Sequence, residues 1–173
     1  QHILHHLAPT GTAGGVLGAL ERLDSSAGLR VLTYHRVDEP SAEPDLDPGL
    51  ISATPDEFRM QMQLVAKHYH PVSLRTVLAA QRGEVNLPSG AVLITFDDGY
   101  LDFALHAWPV LRDLGIPAVL FVPTAFPDRA NGPGFWWDQL HAGLRRAGDR
   151  VVSLPNLGEF DLAEVGGQRF ALN

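Results

Sequence analysis

Asp97 and Asp98 stand side by side at the end of an apolar run, within Ala91-Val92-Leu93-Ile94-Thr95-Phe96-Asp97-Asp98-Gly99-Tyr100. Two neighbouring carboxylates resist ionising together unless a cation lies beside them. In one site they would divide the work, one Asp binding a hard or borderline metal while the other takes a proton from metal-bound water. Asp-Asp-Gly is also what an ordinary turn contains, so these residues by themselves leave both readings open. His35, at the end of the strand-like run Leu29–His35, is the next candidate. If the two runs are parallel strands, His35 reaches the same mouth as the aspartates, to hydrogen-bond a substrate or support a metal cluster. Its alternative role is to cap a strand end on a backbone partner.

The elements that position these side chains follow from the pattern. Ala91–Phe96 is continuously apolar or β-branched, bounded by Pro88-Ser89-Gly90 before it and Gly99 after it. Such a run between turn signals predicts a strand buried on both faces, as in a parallel sheet. Adjacent strand residues point to opposite faces, so both aspartates reach one site only where the strand breaks. Gly99 supplies the break. Strands alternate with helical patterns along the chain, which predicts an α/β fold with a parallel sheet.

Thr95-Phe96-Asp97-Asp98-Gly99-Tyr100 after a buried strand resembles the first motif of the polysaccharide deacetylases, the NodB-homology family. Val31-Leu32-Thr33-Tyr34-His35-Arg36-Val37 is similar to the first barrel strand of one branch of that family. Ile116 to Pro123 is similar to its next strand, and Gly134-Phe135-Trp136-Trp137-Asp138 to a later element. The resemblance covers roughly Leu29 to Ala147. It implies an incomplete, distorted β/α barrel of the NodB-homology type and a metal-dependent hydrolase that removes N-acetyl groups from an N-acetylated glycan. Carried over by position, Asp97 is the catalytic general base, Asp98 a ligand of a divalent metal, zinc, and His35 a substrate-binding residue. The family takes two further metal ligands from a downstream His-x-x-x-His type motif. Between Tyr100 and Asn173 the chain has only His106 and His141, in no such motif. The resemblance therefore implies an extension over 1–28 followed by a deacetylase domain over 29–173 that is cut before that motif, and inactive in isolation. A catalytically dead sugar-binding or structural relative is the alternative. Family members act mainly on envelope or extracellular polymers. An Asp-nucleophile phosphatase would need Asp-x-Asp spacing, which Asp97-Asp98-Gly99 lacks.

Bulk properties set the outer bounds. The chain has 173 residues, 45% of them hydrophobic and 19% charged, which fits one domain with a real core. A net charge of −7 argues against nucleic acid or an anionic membrane as partner. No apolar run approaches the roughly 18 residues needed to cross a bilayer. Without cysteine there is no thiolate site, and any metal must take His and carboxylate ligands.

The remaining stretches are scaffold. His2, His5 and His6 read as a frayed terminal segment, and Val16–Leu23 as a short amphipathic helix. Asp38–Ala53 reads as a loop over the mouth. Thr54-Pro55-Asp56-Glu57 opens a helix with a capping box, whose stripe of Phe58, Met62, Val65, Ala66 and Tyr69 faces the core, with both methionines as packing residues. Val72-Ser73 reads as a short strand before a helix from Leu74 to about Arg82. Leu101–Leu114 is a helix that Pro109 must kink or restart. Ala118–Val122 reads as a second fully buried strand. Trp136 and Trp137 read as plugs of the barrel edge or as a sugar platform. Val151–Leu162 suggests a hairpin, and Gly166–Asn173 the start of a helix.

Overall fold

The computed structural model describes residues 28–124, 134–147, 151–154 and 158–161. The readings of His2, His5 and His6, of Val16–Leu23 and of Gly166–Asn173 lie outside them.

The sheet is built around β5 (Ala91–Phe96), all six of whose residues are buried. β1 (Arg30–Tyr34) pairs with it in parallel, from Arg30 opposite Val92 to Tyr34 opposite Phe96. β4 (His70–Pro71) pairs in parallel with Ala91 and Val92, and β6 (Ala118–Leu120) with Ile94 to Phe96. A strand has two hydrogen-bonding edges, so β1 occupies one and β4 and β6 share the other. β2 (Arg36–Val37) and β3 (Ile51–Ala53) form a separate small parallel pair. β7 (Val151–Leu154) and β8 (Gly158–Asp161) form an antiparallel hairpin, as the sequence suggests. The architecture is α/β with a parallel central sheet. Among the described strands it stays open.

Helices alternate with these strands along the chain. α1 (Pro55–His68) starts at Thr54, whose hydroxyl accepts the Glu57 N–H while Glu57 accepts the Thr54 N–H, the reciprocal box that the sequence predicts. It buries Phe58, Met62 and Val65. α2 (Leu74–Gln81) is capped by Ser73. α3 (Trp108–Leu114) is entered through one wide turn, Phe103–Ala107, closed by the Trp108 N–H donating to the Phe103 carbonyl. Pro109 has no N–H to give a regular turn, so the predicted irregularity takes the form of a π turn. Phe58, Met62, Val65, Val92, Ile94, Phe96, Val110 and Leu111 make one core cluster. Phe96 lies at its centre, 5.3 Å from the Tyr34 ring, 5.7 Å from Phe58 and 4.8 Å from Phe103.

Four expectations are corrected. Asp38–Ala53 is not all loop: it holds a 3₁₀ turn at Pro48–Leu50 and strand β3. The short strand before α2 is His70–Pro71 rather than Val72-Ser73. Met60 is 56% exposed and Ala66 is exposed, because the buried stripe of α1 is narrower than the apolar pattern. Ala118–Val122 is not fully buried. The strand ends at Leu120, and Phe121 and Val122 are exposed, since no described strand pairs with the outer edge of β6.

Candidate active site at the carboxyl end of the central strands

The site begins where β5 ends. The Asp97 N–H donates to the Tyr34 carbonyl at 2.9 Å, continuing the β1–β5 ladder one step, and the Gly99 N–H donates back to the Asp97 carbonyl at 2.9 Å. The chain turns there through two consecutive left-handed residues, Asp98 at φ 71 and Gly99 at φ 67. Asp is among the few non-glycine residues that tolerate this region. Gly99 is constrained on two counts, because a Cβ there would also sit 3.4 Å from both methyl groups of Val122. The break that the sequence places at Gly99 thus starts one residue earlier.

The turn brings both aspartates beside His35. Nε2 of His35 lies 3.9 Å from Oδ2 of Asp97, with both side chains roughly two-fifths exposed. That is ion-pair range but too long for a direct hydrogen bond. The His35 backbone N–H donates to Ser52 Oγ at 3.0 Å, which ties β3 to the mouth. Burial pushes the Asp98 carboxyl above the ordinary carboxylate range. The His35 imidazole pulls it back, and the charges of Asp97 and Asp138 push it further up. All three sequence-predicted residues therefore share one edge of the sheet.

Beneath them lies a network that the sequence reading did not single out. Asp138, in the first turn of α4 (Trp136–Ala147), is buried. Its Oδ1 accepts the Asp47 N–H and its Oδ2 the Tyr100 hydroxyl, at 2.8 and 2.7 Å. The Tyr100 hydroxyl in turn accepts the Trp137 indole N–H at 2.8 Å. Burial and the Asp138 carboxylate raise the Tyr100 phenol far above its usual value, so it stays a donor. Phe135 stacks on Trp137 at 4.6 Å, and Tyr100 lies 5.2 Å from Phe135. Trp137 is thus partly the plug that the sequence suggests, whereas Trp136 is 60% exposed and is not. Arg36 is 1% exposed. Its Nε donates to Asp102 at 2.8 Å, its other nitrogen to Asp38 at 2.9 Å, and its guanidinium lies 5.3 Å from the Tyr100 ring centre. Arg36 and Asp138 fall inside stretches that carry the family resemblance. Nothing local in the sequence marks Asp102, since its partner is 66 residues away.

The Asp97 carboxylate and the His35 imidazole are both open to solvent at this mouth, and groups of these types can exchange protons with a bound molecule. Among the described residues no three His, Asp or Glu side chains come together in a group that could hold an ion.

A sequence model of the family described as "Polysaccharide deacetylase" matches residues 84–151, the span from the approach to β5 through α4. Over these residues the chain is similar to the polysaccharide deacetylase family. The poly-beta-1,6-N-acetyl-D-glucosamine N-deacetylases of Escherichia coli K12 and O157:H7 are each 34% identical over 93 residues, 53% of this chain. The match spans only 13% of the length of those deacetylases. Among solved structures, the Streptococcus pyogenes deacetylase PplD in complex with acetate is 26% identical, with a TM-score of 0.52 over 65% of this chain and 50% of its own. A de-N-acetylase from Aggregatibacter actinomycetemcomitans, 22% identical, covers 77% of this chain and 61% of its own at a TM-score of 0.52. That last likeness concerns the fold alone, and it agrees with the parallel α/β sheet.

Proposed function

We propose that this chain carries part of the active site of a hydrolase that removes N-acetyl groups from an N-acetylated polysaccharide, with poly-β-1,6-N-acetylglucosamine as the first substrate to try. The observation that carries the proposal is the paired-aspartate turn at the sheet edge, facing His35. On this reading Asp97 accepts a proton as water attacks the acetamide carbonyl carbon. The carbon–nitrogen bond then breaks, Asp97 returns the proton to the departing amine, and acetate and a free amino sugar result. His35 holds the substrate against Asp97. The sheet is then one sector of a distorted β/α barrel, and the site sits where such folds gather chemistry, at the carboxyl ends of their strands.

The reading includes a divalent cation, zinc in the first instance, with Asp98 as a ligand. Three protein ligands are usual for a catalytic zinc, so the others would come from outside the described residues. On the same reading the natural protein works at the cell envelope or outside it.

The test uses the natural protein that contains this chain. Asp97→Asn is expected to retain bound metal and lower acetate release from N-acetylglucosamine oligomers by ~10²-fold or more, the range for loss of a general base. Asp98→Ala is expected to lose the metal. Wild-type acetate release by Asp97→Asn would remove Asp97 from its role.

A further inference from the structure

We infer that Arg36 is a positioning residue that sets the separation between His35 and Asp97. The inference rests on the proposed deacetylase reading for its catalytic consequence, though not for its geometry.

His35 and the aspartates sit on different segments. His35 lies between β1 and β2, while Asp97 and Asp98 end β5. The strand pairing registers Tyr34 against Phe96 and stops at the Asp97 N–H, so beyond it the two segments need another tie. Arg36, the residue after His35, supplies one. Its guanidinium donates to Asp102 Oδ2, and Asp102 Oδ1 accepts the Val37 N–H at 3.2 Å. Asp102 stands four residues beyond Asp98, and the Tyr100 ring between them lies against the same guanidinium. One planar cation thus grips the paired-aspartate turn at two points while its own backbone carries His35.

The geometry suits Arg and no other residue. Two carboxylates, Asp102 and Asp38, approach different nitrogens at 2.8 and 2.9 Å, and a ring lies near the guanidinium. A lysine ammonium is a point charge and cannot reproduce this fork. Asp38 is fixed separately through its Oδ1, which accepts the Glu39 N–H at 2.8 Å and lies 3.7 Å from Nε2 of His106, on the π turn. Arg36 therefore has little freedom to move, and neither has the residue before it.

The experiment compares wild type, Arg36→Lys, His35→Gln and the double variant in the natural protein. Crystal structures and acetate release are both read. Arg36→Lys is expected to widen the 3.9 Å His35–Asp97 separation beyond about 5 Å, a range in which an exposed contact no longer orients either group. It is also expected to lower kcat at least tenfold and to raise KM, because the substrate loses the hold of His35 beside Asp97. In the His35→Gln background the same substitution is expected to change kcat less than twofold, because the loss acts through His35. An unchanged separation overturns the inference whatever the activity. So do kcat losses that multiply in the double variant. If Arg36→Lys fails to fold, Asp102→Asn, which keeps the shape and removes one anion, carries the same structural and kinetic readouts. Absence of acetate release by the wild type would count against the deacetylase reading alone, since the crystallographic separation still decides the role of Arg36.

Discussion

Asp98 occupies a left-handed conformation, half out of solvent and beside two other carboxylates, and each of these conditions has a measurable consequence. Its carboxyl is raised first by burial and then by Asp97 and Asp138, against the pull of His35. A raised carboxyl means that the ionised form is less comfortable folded than unfolded. Asp98 therefore lowers stability above its folded-state value, and the deficit disappears as pH falls below its unfolded one. Asp98→Asn, which also tolerates φ 71, is expected to raise Tm of the metal-free protein at pH 7. The gain should fade as pH drops into the carboxylate range, as thermal melts across pH would check. Gly99→Ala is expected to destabilise by about 1–2 kcal/mol in urea denaturation, the strain of a left-handed L-residue. Both residues are legible in the sequence as a turn. Asp138 and Asp102 are legible only as acids, because their partners lie 38 and 66 residues away.

The helices and strands divide by how local their signals are. The capping box of α1 is written within four residues, and it forms as read. Removing it by Thr54→Ala is expected to cost about 1 kcal/mol, readable as a lowered urea midpoint with an unchanged slope. The wide turn before α3 was announced by Pro109, since a missing N–H is a local fact. Strand β3 was hidden, because three residues become a strand only when Arg36 and Val37 come alongside. Arg36 belongs here too, as the side chain by which β2 holds the start of the α3 segment. Its burial follows from that pairing and not from its own character as a charged residue.

For the molecule as a whole, β5 is enclosed by strands on both edges while the outer edge of β6 pairs with no described strand. Leu120, Phe121 and Val122 are 37%, 54% and 47% exposed, a row that favours pairing with another chain. Expressed as these 173 residues, the protein is expected to bind a hydrophobic dye and to self-associate. Phe121→Lys should reduce both, as dye fluorescence and sedimentation would show. The apolar composition of Ala118–Val122 announces a strand but not its burial. Burial is a property of what stands opposite, and the same limit explains Trp136, which is apolar enough for a core and yet exposed. By itself the sequence determined the central strand, the helix caps, the acids at the strand end and the likeness to the deacetylase family, because each is written in contiguous residues. The folded chain alone settled that Tyr34 registers with Phe96, that His35 consequently stands 3.9 Å from Asp97, and that a buried Arg36 ties the two segments. Those relations join residues some sixty positions apart, and only packing brings them together.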